Sequence, residues 1–480
     1  MKNFRAIAEA DIVNSILKLI KSKDILNFRN ISYSHIKYML IFPLAPIFAN
    51  MQGEIFSDEA NIFGLDAMTL MGSAYCVGAG VLFALTQIST IAKFSNIISV
   101  MTALSFISWS LLNESLLGLV IAVMFAACLG GCAACASFSY TFVLNNTERF
   151  IGAALISLFF ALNQINYGFS IISELYPKTY LTLLVIGSCI CLLLYEKKDF
   201  VQIDDKPDEN MNPTIGLMLY FFIAHYFVEI FYTYLPGAAL KEAFIYNGAV
   251  GILVIILAII LQFVIKRSVW HMCNIFFIAM ILTYALYFTP ENLAFRKLAY
   301  FMHGFEQMGY IVAYYLLGCI FKKCGNFRLF KICLVTILPA SIVAYIIPGM
   351  ISSYVPDLLP LAATVISSLI FIFFILLSPA YSKYLFFTDW IDDFYEVDMA
   401  KDSGSRNISD ISEGLGLSVR ESEVLKLLLL GNRSKQIAEN LEISVHTVNF
   451  HIKNIYKKLD VSNRAELFAK FNSSSLTDKL

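Results

Sequence analysis

Residues 417–468 read LSVRESEVLKLLLLGNRSKQIAENLEISVHTVNFHIKNIYKKLDVSNRAELF. Local signals place four short helices on this stretch. Ser418-x-x-Glu421 is a capping box, in which each side chain takes the other residue's orphan backbone N–H. It precedes apolar positions at helical spacing, Val424, Leu425, Leu427 and Leu428. Gly431 ends that helix. A second helix opens near Ser434 and turns Ile437, Ala438 and Leu441 inward, and Glu442-Ile443-Ser444 forms the turn after it. A third runs from Val445 to Leu459, with Val448, Ile452, Ile455 and Leu459 on its apolar face. Asn463 and Glu466 pair at the start of a fourth, Arg464 to Phe471. This is helix-turn-helix spacing, in which the second helix of the pair lies in the DNA major groove. The outward face of that helix offers His446, Thr447, Asn449, Phe450, His451, Lys453, Asn454 and Lys457. Asn pairs with adenine through two bonds, Lys and Thr hold phosphates, and an aromatic ring meets a thymine methyl. From Gly416 onward there are ten Lys and Arg against seven Asp and Glu, a balance that fits an anionic partner.

The rest of the chain has a different character. Of its 480 residues 58% are hydrophobic and 15% charged, against about 45–50% and about 25% for a soluble chain. The apolar excess lies before Ala380. A span needs about 20 mostly apolar residues, and twelve candidates are expected, at 36–56, 65–91, 96–112, 116–144, 150–172, 179–195, 214–235, 243–265, 269–288, 298–321, 330–348 and 358–378. The expected organisation is an amphipathic cytoplasmic segment (1–35), a first half of six spans (36–195), a charged cytoplasmic loop (196–213), a second half (214–380), an acidic linker (381–414) and the helix-turn-helix domain (415–480). Lys and Arg concentrate in alternate loops, as at Lys93, Arg149, Lys197, Lys266 and Lys322. Both termini are therefore expected in the cytoplasm, where the DNA is. No signal-peptide pattern opens the chain. The ten cysteines are mostly single and within apolar runs, so no disulfide framework is expected.

The positions Glu421, Val424, Leu425, Gly431, Ile437, Ala438, Leu441, Ser444, Thr447, Val448, His451, Ile455, Lys458, Leu459 and Arg464 closely resemble the LuxR-type (LuxR/NarL/FixJ) DNA-binding domain. The resemblance implies that Asn449, Phe450 and Lys453 face bases, with Thr447 and His451 nearer the backbone. It also implies promoter DNA as partner, a homodimer on inverted half-sites formed through the fourth helix, and RNA polymerase as a further partner. Asn449 stands where the family usually has Lys or Arg, so the target sequence does not carry over from relatives. Six spans, a charged loop and six more resemble the major facilitator (MFS) layout. That family's loop signature, Gly-x-x-x-Asp-Arg/Lys-x-Gly-Arg/Lys-Arg/Lys, is missing from both QISTIAKFSN and KRSVWH. The expected fold is all-α: a twelve-helix MFS-like transmembrane bundle plus a small four-helix domain. The whole resembles the bacterial membrane-embedded LuxR-type regulators, which implies a one-component regulator in the inner (cytoplasmic) membrane. A secondary transporter with a regulatory tail is the alternative.

Ionisable groups at membrane depth are costly and mark functional sites. His225 and Glu229 share a face of the seventh span, and His303, Glu306 and Gln307 a face of the tenth. The fifth span carries Asn163, Gln164, Asn166 and Tyr167. Together they predict a polar pocket for a small-molecule ligand, drawn chiefly from His225, Glu229, His303, Glu306, Gln307, Asn163 and Gln164. Pro43 and Pro46 are expected to break the first span. Cys128, Cys132 and Cys135 lie among Gly130, Gly131, Ala133 and Ala134, which favours close helix packing over a soft-metal site. No phosphate loop, catalytic triad or zinc-hydrolase spacing occurs, so no enzyme activity, cofactor or metal is expected. The acidic linker is expected to be a spacer. Its other reading, a cover for the recognition face, predicts higher basal target expression when its acids are neutralised.

Overall fold

The structure, a computed structural model, describes residues 12–17, 19, 26–41, 67–87, 90–112, 116–169, 177–200, 212–238, 240–288, 292–324, 327–385 and 417–429, and thereafter 432, 434, 437, 438, 441, 443–461, 463, 464, 466 and 467. Pro43, Pro46 and the acidic linker between 386 and 414 lie outside the described residues. The chain divides into two compact units, Met1–Thr388 and Asp389–Leu480. Among the described residues both are helical and contain no strand.

The first unit contains α1 (Ala67–Leu85), α2 (Ile91–Leu112), α3 (Leu116–Phe142), α4 (Asn146–Phe169), α5 (Pro177–Leu193), α6 (Asn212–Thr233), α7 (Lys241–Ile259), α8 (Val269–Leu286), α9 (Leu293–His303), α10 (Glu306–Cys324), α11 (Phe327–Tyr354), α12 (Leu359–Leu376) and the short α13 (Ser378–Tyr384). Among the described residues seven helices are long and apolar enough to cross a membrane, and two shorter apolar helices accompany them. This is a membrane protein by that measure. The outward residues are apolar as well: Leu111, Val264, Leu183 and Leu253 are all exposed. In water such a surface would be a liability; against lipid it is the expected one.

Between helices in lipid there is no hydrophobic drive, so close packing and hydrogen bonds do the work. At the crossing of α1 and α3, a Cβ on Gly78 would sit 2.0 Å from the Ala127 carbonyl oxygen, and one on Gly130 would sit 2.0 Å from that of Tyr75. The two backbones touch, and no side chain fits between them. This accounts for Gly130 of the fourth candidate span. The nearby Cys132 is in contact with the Thr102 hydroxyl at 3.3 Å, and among the described residues the three thiols of α3 do not converge as a metal-ligand group. Gly130→Leu is expected to force α1 and α3 apart, and the full-length chain to aggregate or be degraded; recovery of monodisperse protein at the native level would contradict this. The two halves meet in the same way. A Cβ on Gly248 of α7 would lie 2.5 Å from the Ala161 carbonyl oxygen of α4.

The tenth candidate span, expected as one helix over 298–321, is two. Helix α9 ends at His303, Gly304 and Phe305 form a turn, and α10 starts at Glu306. At the break the ladder shortens: Phe305 N–H donates to the Met302 carbonyl at 3.2 Å, and Met308 N–H to that of Phe305 at 3.0 Å. Gly304 packs so closely against α7 that a Cβ there would sit 2.7 Å from Val250 Cβ. The missing side chain lets α7 press on the chain at this point.

At the junction of α3 and α4, Asn145 and Glu148 form a capping box: Glu148 N–H donates to Asn145 Oδ1 and Asn145 N–H to Glu148 Oε2, both at 3.0 Å. The N-terminal segment docks on this corner. Ser32 N–H donates to Glu148 Oε1 at 2.8 Å, His35 Nδ1 lies 2.9 Å from Oε2, and Asn145 Nδ2 donates to the Asn30 carbonyl at 2.7 Å.

The second unit is a small helical domain with α14 (Val419–Leu429) and α15 (Val445–Lys458). Its core joins Val424, Leu425, Leu428, Leu429, Ile437, Ala438, Val448, Ile455, Leu459 and Leu467. Residues from all four expected helices thus share one core. The capping box is in place: Ser418 N–H donates to Glu421 Oε2 at 2.7 Å and Glu421 N–H to Ser418 Oγ at 3.3 Å. Lys458, from the end of α15, reaches the same Glu421 oxygen at 2.6 Å. Lys458 and the Ser418 N–H hold the Glu421 carboxyl below the usual carboxylate range. A carboxylate lowered by folding stabilises above its unfolded value of about 4.3, and that contribution is lost as pH falls through the folded value. Amide exchange in α14 is therefore expected to speed up as pH falls below about 4, after correction for the intrinsic rate, and Glu421→Gln to flatten that dependence. An identical profile in the variant would show that the pair contributes nothing.

Candidate ligand site and nucleic-acid interface

In the membrane unit, Glu229, His303 and Glu306 converge: one ligand atom from each lies within 4.8 Å of the others. Glu229 comes from α6 and is half-buried; His303 and Glu306 stand on either side of the α9–α10 break and are 2% and 1% exposed. His303 Nε2 is 3.1 Å from Glu306 Oε2. The other Glu306 oxygen accepts from Gln164 Nε2 at 2.7 Å and from Gln307 Nε2 at 3.1 Å. Gln164 belongs to α4, so this bond joins the first half of the chain to the second. The His303 ring lies flat on Tyr232, centroids 3.4 Å apart, and Tyr232 in turn accepts from Asn247 Nδ2 at 3.2 Å. Tyr310 is hydrogen-bonded to Glu229.

Five of the seven sequence-expected ligand residues therefore meet: Glu229, His303, Glu306, Gln307 and Gln164. Two do not. His225 is buried among rings, 4.8 Å from Tyr310 and 5.2 Å from Phe276 by centroids. Spacing of four residues put it on the Glu229 face, but the surrounding aromatics enclose it. Asn163 is buried on α4 and makes no hydrogen bond to the cluster among the described residues. Sequence reasoning had no signal for Tyr232 or Tyr310, since nothing local sets either apart from other aromatic residues in apolar helices.

The electrostatics of the cluster are demanding. Two carboxylates at no more than 4.8 Å repel by at least about 3 kcal/mol even at an effective dielectric constant of 20. The arrangement suits a positive guest or a proton, and it disfavours an anion.

In the second unit, α15 is capped by Ser444, whose Oγ accepts from Thr447 N–H at 3.0 Å. Val448 and Ile455 anchor it in the core. On the opposite face Asn449, Phe450, Lys453 and Lys457 are exposed, while Thr447, His451 and Asn454 are half-buried. Phe450 is 59% exposed, with its ring against His451 at 5.8 Å. The sequence-expected face is thus presented by one rigid helix. Lys458, by contrast, is engaged by Glu421.

Residues 415–471 match the family of bacterial regulatory proteins called the luxR family. Within this region the chain is 38% identical over 66 residues to the putative HTH-type transcriptional regulator YhjB of Escherichia coli K12, which is 14% of this chain and 33% of that protein. It is 48% identical over 50 residues to the transcriptional regulatory protein LiaR of Bacillus subtilis, 10% of this chain and 24% of LiaR. It is 38% identical over 60 residues to the HTH-type transcriptional regulator MalT of Vibrio cholerae, 12% and 7% of the respective chains. The chain spans a third or less of these relatives. Among solved structures, a bacterial homologue of the iron transporter ferroportin in an outward-facing state, with soaked iron, aligns over 72% of this chain and 99% of its own, with 11% identity and a TM-score of 0.47. A likeness that distant carries no statement about cargo.

Proposed function

We propose that the LuxR-type domain makes this chain a one-component transcription regulator that acts from the membrane. The observation that carries the proposal is a single polypeptide holding both a luxR-family domain at 415–471 and, among the described residues, seven apolar helices of spanning length. The membrane unit senses a small molecule at the Glu229–His303–Glu306 cluster, and the exposed face of α15 binds promoter DNA. The cluster supports a sensory role because Gln164 ties it to the first half: a guest that competes for Glu306 alters a contact between halves. That gives the ligand differential affinity for two arrangements, which any ligand-driven shift requires. The host membrane is the bacterial inner membrane with both termini cytoplasmic, and the DNA-bound form is a homodimer that engages RNA polymerase. Because the reader of DNA is anchored, the promoter comes to it.

The test is genome-wide DNA occupancy of the full-length chain in its membrane, with and without Glu229→Gln and Glu306→Gln. Discrete promoter peaks whose strength follows growth conditions, and no longer does so in the variants, are expected. Peaks that respond normally in the variants would remove the site. No peaks in any condition, together with uptake of a solute into vesicles, would favour the secondary transporter.

A further inference from the structure

We infer that Glu229, His303 and Glu306 bind a single divalent transition-metal ion of the Mn2+, Fe2+, Co2+ or Zn2+ class. The inference rests on the proposal that this cluster is the ligand site and names the chemistry of the ligand.

Size decides first. Donors on opposite sides of an ion with bonds of about 2.0–2.2 Å are at most about 4.4 Å apart. The three donors already lie within 4.8 Å of one another, so closing on an ion takes a few tenths of an ångström from each. Charge is the second argument: two carboxylates balance one divalent ion, leaving a neutral buried site. Donor type is the third. Carboxylate oxygen with imidazole nitrogen suits Mn, Fe, Co and Zn, and the absence of a thiol from this donor set points away from softer ions.

The groups are also set as ligands rather than as partners of each other. His303 is 2% exposed, yet neither ring nitrogen makes a hydrogen bond, although Nε2 is 3.1 Å from Glu306 Oε2. The carboxylate is therefore near Nε2 without lying along its in-plane bonding direction, which leaves that direction open to another partner. Gln307 is fully buried and its Oε1 also has no partner, which supplies a fourth oxygen close by. The supports are those that orient metal ligands: Gln164 and Gln307 fix one Glu306 oxygen and leave the other free, Tyr310 holds Glu229, and Tyr232 fixes the plane of the His303 ring. No metal signal is legible in the sequence here, because Glu229 is far from the other two donors along the chain and the His303–Glu306 pair reads as an ordinary i, i+3 contact.

The experiment uses the full-length chain in lipid nanodiscs, stripped by chelator, titrated with MnCl2 and ZnCl2 by calorimetry and with CoCl2 by visible absorption. One saturable ion per chain is expected, with Co2+ bands that show nitrogen and oxygen ligation. Changing an orienting group costs about 10–100-fold in metal affinity, so losing a donor in Glu306→Gln, His303→Ala or Glu229→Gln is expected to cost about 100-fold or more. Cys135→Ser, on α3, is expected to bind as the native chain does. Glu229 is half-buried, so Glu229→Gln is the variant least exposed to misfolding, and monodisperse elution with retained DNA binding certifies it. No saturable binding to the native chain, or unchanged binding in that certified variant, would overturn the inference. If no ion binds while the variants still abolish the transcriptional response, the cluster is sensory and its ligand is not a metal. If the ion binds and transcription ignores it, the metal site stands and the sensory proposal fails.

Discussion

Asn449→Ala combined with Lys453→Ala is expected to lower affinity for the chain's promoter sites by about 100-fold at a fixed salt concentration. A good base contact discriminates by about 1–3 kcal/mol, and two contacts of about 1.4 kcal/mol each give this factor. Both side chains are exposed on α15 and neither touches the core built on Val448 and Ile455, so the domain is expected to stay folded. The two positions separate on further analysis. If Lys453 holds a phosphate, Lys453→Ala alone weakens all sequences alike and reduces the salt slope by about one. If Asn449 reads a base, Asn449→Ala alone relaxes preference at one position and leaves the slope unchanged. Binding isotherms at several salt concentrations, with unaltered helical circular dichroism, provide the check. Native affinity in the double variant would remove α15 as the reading helix.

Arg149→Leu is expected to destabilise the membrane unit by about 3–5 kcal/mol. The Arg149 side chain is fully buried at the corner between α3 and α4. Its guanidinium donates to the Tyr140 carbonyl at 3.2 Å, to the Thr141 carbonyl at 2.8 Å and to Asn146 Oδ1 at 2.6 Å. The first two are among the last carbonyls of α3, which have no partner within the helix. Positive charge at a helix C-terminus is favourable as well. In return the Tyr140 hydroxyl donates to the Arg149 carbonyl at 3.0 Å. Leucine fills much of the space but leaves buried acceptors unpaired, at about 1–3 kcal/mol each. Gly318 of α10 makes room for the side chain: a Cβ there would lie 2.9 Å from Arg149 Cδ. Arg149→Lys is expected to recover only part of the loss, because a point charge cannot serve three acceptors at once. Thermal unfolding of the purified full-length chain measures both, and a native midpoint for Arg149→Leu would contradict the account.

Arg149 shows where sequence reasoning stops. Along the chain it marked an orientation-setting loop, one of several with Lys or Arg. Its role as the cap of α3 depends on the fold of the corner, where the chain turns back between Phe142 and Asn146. His225 shows the same limit from the other side: its spacing to Glu229 was legible, but its enclosure by Phe276 and Tyr310 was not. The expected break at Pro43 and Pro46 lies outside the described residues. A break does occur in the tenth candidate span, at Gly304, where no proline announces it.

The sequence by itself determined the C-terminal domain. Its caps, turn and apolar spacing are local: Ser418 meets Glu421 three residues on, Ser444 meets Thr447, and the period of Val448, Ile455 and Leu459 decides which face of α15 is buried and hence which is bare. It likewise determined that most of the remaining chain is apolar helix, because length and hydropathy alone fit a span. Only the tertiary structure decided the cluster in the membrane unit. Gln164, Glu229, His303 and Glu306 come from α4, α6 and the two sides of the α9–α10 turn, brought together by helices that touch at Gly248 and Gly304. Helical periodicity tells which residues share a face of one helix. Which faces meet is set by where small residues let backbones approach, and that is a property of pairs of helices.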